Sequence, residues 1–299
     1  RSKEFSILEM KSDHTPPAEL IARRYSCRTY INIPIEKGLR DRLSVYVEAQ
    51  NEGPLGGRAR FELVASTEAD LKALKGLGTY GFIRGATGFI VGATDDDARY
   101  LEDYGYLLEK IVLYATGMGL GTCWLGGTFT KSSFAERISA GEGELVPAVC
   151  SVGYPAKKPR RIDRIIRRGA EADKRKPWSQ IFYDGEYGVP LALSAAGDYA
   201  EALEMVRIGP SASNKQPWRI IRDTGRWHFY LQRSSGYREQ RLGNLSSNTD
   251  LQRIDMGIAM CHFHLTARQT GCPGHWEQDD PQRVNQDQQL EYTATWVEG

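Results

Sequence analysis

Residues 100–118 read YLEDYGYLLEKIVLYATGM, and residues 250–270 read DLQRIDMGIAMCHFHLTARQT. In the first, Tyr104, Leu107, Ile111, Ala115 and Met118 keep a spacing of three or four residues, which predicts a long helix with one buried stripe. The second is apolar nearly all round (Met256, Ile258, Met260, Phe263, Leu265), the pattern of a helix that needs partners on all sides. A shift of 152 residues, without a gap, lays Asp103 on Asp255, Gly105 on Gly257, Leu113 on Leu265, Ala115 on Ala267, Gly119 on Gly271 and Trp124 on Trp276. Gly53-Pro54 stands before its strand as Gly209-Pro210 stands before a later one. The pattern is that of a diverged internal duplication of an α+β unit of about 150 residues.

Working outward, Leu39, Leu43 and Tyr46 predict an amphipathic helix over Lys37–Gln50, ending near Gly53-Pro54. Arg60–Ser66, Thr87–Ala93 and Val146–Gly153 read as strands. After Gly185 the order restarts: a helix over Ala200–Ile208, then strands at Arg219–Arg222 and Trp227–Leu231 joined by Asp223-Thr224-Gly225. The expected units are residues 17–182 and a shorter 183–299.

The 299 residues carry a net charge of +1, so no global field draws nucleic acid or an anionic membrane to the chain. Arg1–Pro17 is polar, unlike a secretory signal, and Ile111–Leu120 is too short and too broken by glycine to cross a bilayer. Five scattered cysteines form no disulfide framework, which points to a reducing cytoplasm.

Three segments carry chemistry. In Arg24-Tyr25-Ser26-Cys27-Arg28-Thr29-Tyr30, two arginines four apart flank a hydroxyl, a set able to converge on one phosphate. In Gly119-Leu120-Gly121-Thr122-Cys123-Trp124-Leu125-Gly126-Gly127, glycine-rich backbone leaves a buried helix and can approach a planar ligand closely; a helix end entering a strand explains it equally well. Pro210-Ser211-Ala212-Ser213-Asn214-Lys215-Gln216-Pro217-Trp218 packs hydroxyls and amides into a loop between helix and strand, offering donors and acceptors to the edge of a heterocycle.

Together these segments resemble the three flavin-binding signatures of the nitroreductase family. The resemblance implies an α+β nitroreductase-like fold in two diverged repeats, fused as a pseudo-dimer. It implies FMN as cofactor and NAD(P)H as co-substrate. The activity it implies passes hydride through the flavin to a small electron acceptor such as a nitroaromatic or quinone, with no catalytic side chain of the protein's own. By the same resemblance Arg24, Ser26 and Arg28 hold the FMN phosphate. Pro210, Ser211, Ala212, Asn214 and Gln216 line the ring and its pyrimidine edge, Gly126 and Gly127 face N5 and O4, and Lys174-Arg175 supplies a further basic pair, with Arg160-Arg161 as second choice. Family members are typically homodimers with a shared site. Here the "PSASN" loop follows the glycine segment, whereas Glu52–Gly57 (EGPLGG), at the place the family gives that loop, lacks its serines and asparagine. Each half would thus have kept one half-site, leaving one complete site in a chain able to exist as a monomer. The alternatives are a non-catalytic flavin sensor or store, and a flavin-consuming or dehalogenating member of the same family.

Two further patterns are set aside. Cys261-x2-His264 and Cys272-x2-His275 have metal-ligand spacing, but the first pair falls within the buried helix, so no metal is expected. Lys157–Lys176 is strongly basic yet lacks interleaved aromatics, so it reads as a solvated strap with one phosphate contact and not as a nucleic-acid surface.

Overall fold

A computed structural model of the chain describes residues 15–67, 74, 77, 79, 81–95, 100–127, 129–158, 160–171, 173–234, 249–281 and 289–299. Most of the polar N-terminal stretch discussed above lies outside them. In the first half, α1 (Pro17–Arg23) and α2 (Lys37–Glu48) precede β1 (Ala59–Ala65) and β2 (Gly88–Asp95). Then come α3 (Leu101–Gly117), β3 (Gly121–Leu125), α4 (Lys131–Arg137), β4 (Glu144–Leu145), β5 (Val149–Gly153) and α5 (Arg161–Gly169). The second half runs β6 (Phe182–Asp184), α6 (Ala200–Arg207), β7 (Trp218–Asp223), β8 (Arg226–Gln232), α7 (Leu251–Gln269), β9 (Gly274–Glu277) and β10 (Leu290–Glu298).

The two sheets share one topology. The first has the order β1-β2-β5-β3, with β4 paired to β2, and the second has β6-β7-β8-β10-β9. Replacing β1, β2, β5, β3 by β7, β8, β10, β9 reproduces the path strand for strand, all antiparallel. The additional strand β6 follows the first unit and adds to the second sheet, parallel to β7, with Phe182 opposite Ile220. Its three residues therefore straddle position 182, where the sequence pattern divides the chain, and tie the two units together.

Helices α3 and α7 pack against each other between the sheets. The duplicated glycines permit this: a Cβ on Gly105 would sit 2.2 Å from the Ile254 carbonyl oxygen, and one on Gly257 would sit 1.9 Å from that of Glu102. Only glycine allows backbones to approach so closely. One core then runs through both halves, from Leu43 and Ile111 to Met260, Phe263 and Trp296.

The structure corrects the reading of α3 as a helix with one buried stripe. Leu101 through Glu109 are all buried, the acids Glu102, Asp103 and Glu109 included. Buried polar groups need partners, and each acid has them. Glu102 takes both Arg253 Nε and Nη2 at 2.7 Å. Asp103 accepts the backbone N–H groups of Leu55 at 3.0 Å and Gly57 at 2.6 Å. Its counterpart Asp255 accepts that of Ala212 at 2.9 Å, so each repeat uses this acid to hold its Gly-Pro loop.

The basic stretch is also corrected, since Arg161–Gly169 within it forms helix α5. Asp163 takes hydrogen bonds from the Arg160 backbone N–H and guanidinium, while Arg160 Nη2 donates to the Phe82 carbonyl at 2.9 Å. The Thr29 hydroxyl also bonds Asp163, which pins α5 to the first chemical segment. Strand β10 has no clear alternation because its threonines are buried as well: Thr295 bonds His228 Nδ1 and Tyr292 Oη, each at 2.8 Å.

Candidate active site

The segment around Arg24 lies beside the start of β3. Cys27 N–H donates to the Thr122 carbonyl at 2.8 Å, and Arg84 N–H donates to that of Arg28 at 2.9 Å. Glycine at 121 makes room for this, because a Cβ there would lie 2.9 Å from Cys27 Sγ. The segment is thus held extended, with Arg24, Ser26 and Arg28 alternating along it.

The loop Pro210–Asn214 approaches from the other half. Its backbone is unusual: Ser213, Asn214 and Gln216 have φ values of 49°, 54° and 48°, in the left-handed region disfavoured for side chains with a Cβ. Such strain persists only where surroundings over-determine it, and it concentrates at binding sites. Here the clamps are dense. Gln216 N–H donates to Ser211 Oγ at 2.8 Å, Gln216 Oε1 accepts from Lys176 N–H at 2.8 Å, and Asn214 Nδ2 donates to the carbonyls of Glu171 at 2.7 Å and Lys174 at 2.9 Å.

Between them lies a cleft of about 610 Å³. Arg24, Ser26, Arg28, Trp124 and Leu125 line it from the first half, Pro210, Ser211, Ser213 and Asn214 from the second, and Arg175 from the connecting segment. Ile166, Arg167, Ala170 and Asp173 close one wall, so α5 and the residues after it build the site and are more than a solvated strap. Of the other sequence-derived candidates, Ala212 is held on Asp255 and Gln216 is buried as a clamp beneath the loop. Gly126 and Gly127 follow Leu125 but do not line the cleft, and the Lys174 side chain is exposed, paired with Glu171 at 2.6 Å. Arg160 belongs to the anchor of α5.

The electrostatics of the cleft favour an anion. Arg23, Arg24, Arg28, Arg167 and Arg175 line it, with Asp173 as the one carboxylate among the described lining residues. Burial holds the Arg175 guanidinium below its usual range, and repulsion from Arg24 and Arg207 adds to this. Arg24 Nε is buried, has no hydrogen bond among the described residues and lies 3.8 Å from Glu109. Crowded cations are relieved by a bound phosphate. Burial pushes the Cys123 thiol up to about 11, which favours the protonated thiol over the thiolate.

Sequence reasoning missed Glu109 and His262. Glu109 accepts Trp124 Nε1–H at 2.7 Å and pairs with His262 Nε2 at 2.9 Å, so it ties a cleft wall to the central helices. Glu109 is one of three acids in α3, and nothing in their spacing singles it out from Glu102 and Asp103. His264, of the set-aside Cys261-x2-His264 pair, bonds Tyr106 Oη through Nδ1 at 2.8 Å. Another cavity, about 650 Å³, surrounds the β7–β8 turn, but it contains none of the motif residues and its Arg222 is paired with Asp184. Among the described residues, no helix is long and apolar enough to cross a membrane.

Comparison with known proteins agrees with this architecture. A "putative nitroreductase" structure from Thermotoga maritima MSB8 aligns over 95% of this chain and 94% of its own, at 19% identity and a TM-score of 0.59, which shows the fold. An FMN-dependent nitroreductase from Clostridium difficile R20291 covers 47% of this chain and 88% of its own, at 20% identity and a TM-score of 0.36. A "putative nitroreductase in complex with FMN" from Desulfovibrio desulfuricans covers 50% and 95%, at 19% identity and a TM-score of 0.37. No curated protein matches. A family model described as "Putative TM nitroreductase" matches residues 18–267, most of the chain, and the protein belongs to that family.

Proposed function

We propose that the cleft binds one FMN and that the protein is an NAD(P)H-dependent oxidoreductase of small electrophilic acceptors. One observation carries this reading: Arg24, Ser26 and Arg28 from one half and Ser211 and Asn214 from the other line a single cleft. Its volume is in the usual range for cofactor sites, roughly 300–1,000 Å³.

Arg24, Ser26 and Arg28 are suited to the phosphate, with Arg175 adding charge. Pro210 and Ser211 are suited to the ring edge, and Trp124 and Leu125 give an apolar wall that excludes water. Bound FMN supplies hydride transfer between a nicotinamide donor and an acceptor such as a nitroaromatic or quinone. The protein then needs no acid–base dyad; its arginines fix the cofactor and bias the site towards negative charge. The Glu171 and Lys174 carbonyls hold Asn214 in its place in the loop.

The absorbance spectrum of the purified protein, before and after adding FMN, tests the cofactor. A flavin band that survives gel filtration supports the reading, and failure to retain FMN overturns it. Oxidation of NADH or NADPH on adding a quinone tests the activity; flavin retention without turnover would instead mark a binding or storage protein.

A further inference from the structure

The carboxylate of Glu109, fully buried in α3, is not required by the fold. Under the shift of 152 residues its counterpart in the second repeat is Cys261, and the counterpart of Trp124 is Trp276. Trp124 Nε1–H is held by Glu109 at 2.7 Å, whereas the buried Trp276 Nε1 has no hydrogen-bond partner among the described residues. The same helix position in the same fold is thus filled by a small thiol in one copy and by an acid in the other. A buried acid carries a large desolvation cost. It stands in the copy whose tryptophan and arginine line the cleft.

His262 accompanies it. His262 Nδ1 lies 3.0 Å from the Met205 carbonyl, which can only accept, so Nδ1 carries a proton. Nε2 lies 2.9 Å from Glu109 Oε1, and that contact also needs one proton between the two groups. Whichever atom holds it, the Glu109–His262 pair sums to zero charge. Arg24, 3.8 Å from Glu109, then lies beside a dipolar pair that does not cancel its charge.

We propose that Glu109 and His262 are positioning residues of the cleft: Glu109 anchors the Trp124 wall beside Arg24, and the proton that His262 brings to the pair leaves the charge of Arg24 uncompensated by Glu109, so that the site selects a phosphorylated flavin over its unphosphorylated form. The selectivity for a flavin rests on the FMN reading above; the charge on Arg24 does not.

The test uses the full chain and three variants: Glu109→Gln, His262→Gln, and both together. Glu109→Gln can still accept from Trp124 and donate to a neutral His262 and puts no anion beside Arg24, so its preference for FMN over riboflavin should stay well above that of His262→Gln. His262→Gln leaves Glu109 with an uncompensated negative charge beside Arg24. Its affinity for FMN should fall about tenfold or more relative to riboflavin. The double variant should recover the preference. Inorganic phosphate, followed by calorimetry, is the second probe and needs no flavin: it should bind the parent, Glu109→Gln and the double variant, and bind His262→Gln about tenfold more weakly. Equal losses for both flavins and for phosphate across all three variants would reduce the pair to a structural role. So would a double variant no better than His262→Gln. If riboflavin and FMN both fail to bind the parent while the phosphate pattern holds, the cofactor assignment falls and the charge role of His262 stands.

Discussion

Gly105 of α3 faces the carbonyl of Ile254 on α7, and Gly257 of α7 faces the carbonyl of Glu102 on α3. Each pair is the other shifted by 152 residues, since 105 + 152 = 257 and 102 + 152 = 254. Reciprocal contact of this kind is what a twofold relation produces: residue i meets j while the copy of i meets the copy of j. The relation is built within one chain and brings the two halves of the cleft together.

Gly105→Ala and Gly257→Ala should both be strongly destabilising and similar in size. The added methyl would lie 2.2 Å or 1.9 Å from backbone oxygen, so the helices must separate. Overpacking typically costs about 1–3 kcal/mol, and these sites should fall at or beyond the upper end. Gly117→Ala, whose Cβ would meet only Leu20 at 3.6 Å, should instead be neutral or stabilise by about 0.5–1 kcal/mol. Urea midpoints of the three variants check the contrast, and equal midpoints for Gly105→Ala and Gly117→Ala would contradict it.

Asp103 should make stability depend on pH. Burial raises its carboxyl from 3.8 to about 6, against the opposing hydrogen bonds of Leu55 and Gly57. A raised carboxyl means that the folded state favours the protonated form. The stabilisation is therefore complete below about pH 4 and is lost as pH rises through about 6. Asp103→Asn cannot ionise, so the parent should lose about 1–3 kcal/mol relative to this variant between pH 4 and pH 7. A constant difference across that range would show that Asp103 does not titrate there.

Flavin content should be one FMN per chain. The loop Glu52–Gly57, which stands in the first repeat as Pro210–Asn214 stands in the second, lacks serine and asparagine. Flavin released by heat and measured against protein should give a ratio near one. A ratio near two would mean that the EGPLGG side also binds.

Arg24→Ala and Arg28→Ala should weaken FMN more than they weaken the fold. Loss of a charge-assisted hydrogen bond to phosphate costs about 1.5–3 kcal/mol, or roughly 10- to 150-fold in Kd. Equilibrium dialysis of both variants, with a melting curve as control, reads the two effects separately. Unchanged FMN retention in both would remove the phosphate role from this segment.

Because the two halves already face each other within one chain, we expect a monomer. Light scattering after gel filtration checks this, and a dimer that persists on dilution would contradict it.

Periodicity determined the two long helices, their glycines and the order of the main strands, because hydrophobic spacing and turn residues act over a few neighbours. The three binding segments were legible for the same local reason: arginines, serines and glycines at fixed offsets are chemical facts of the chain. Tertiary structure decided what depended on distant partners. Strand β6 is three residues of no marked pattern and becomes a strand only because β7 offers an open edge. Helix α5 looked like a basic strap because the bonds of Asp163 to Thr29 and Arg160 that seat it cannot be read from spacing. Glu109 in an apolar helix gave no sign of its role until Trp124, Arg24 and His262 met around it. A buried charge is tolerated only by the groups it meets, and folding brings those from segments far apart in the chain.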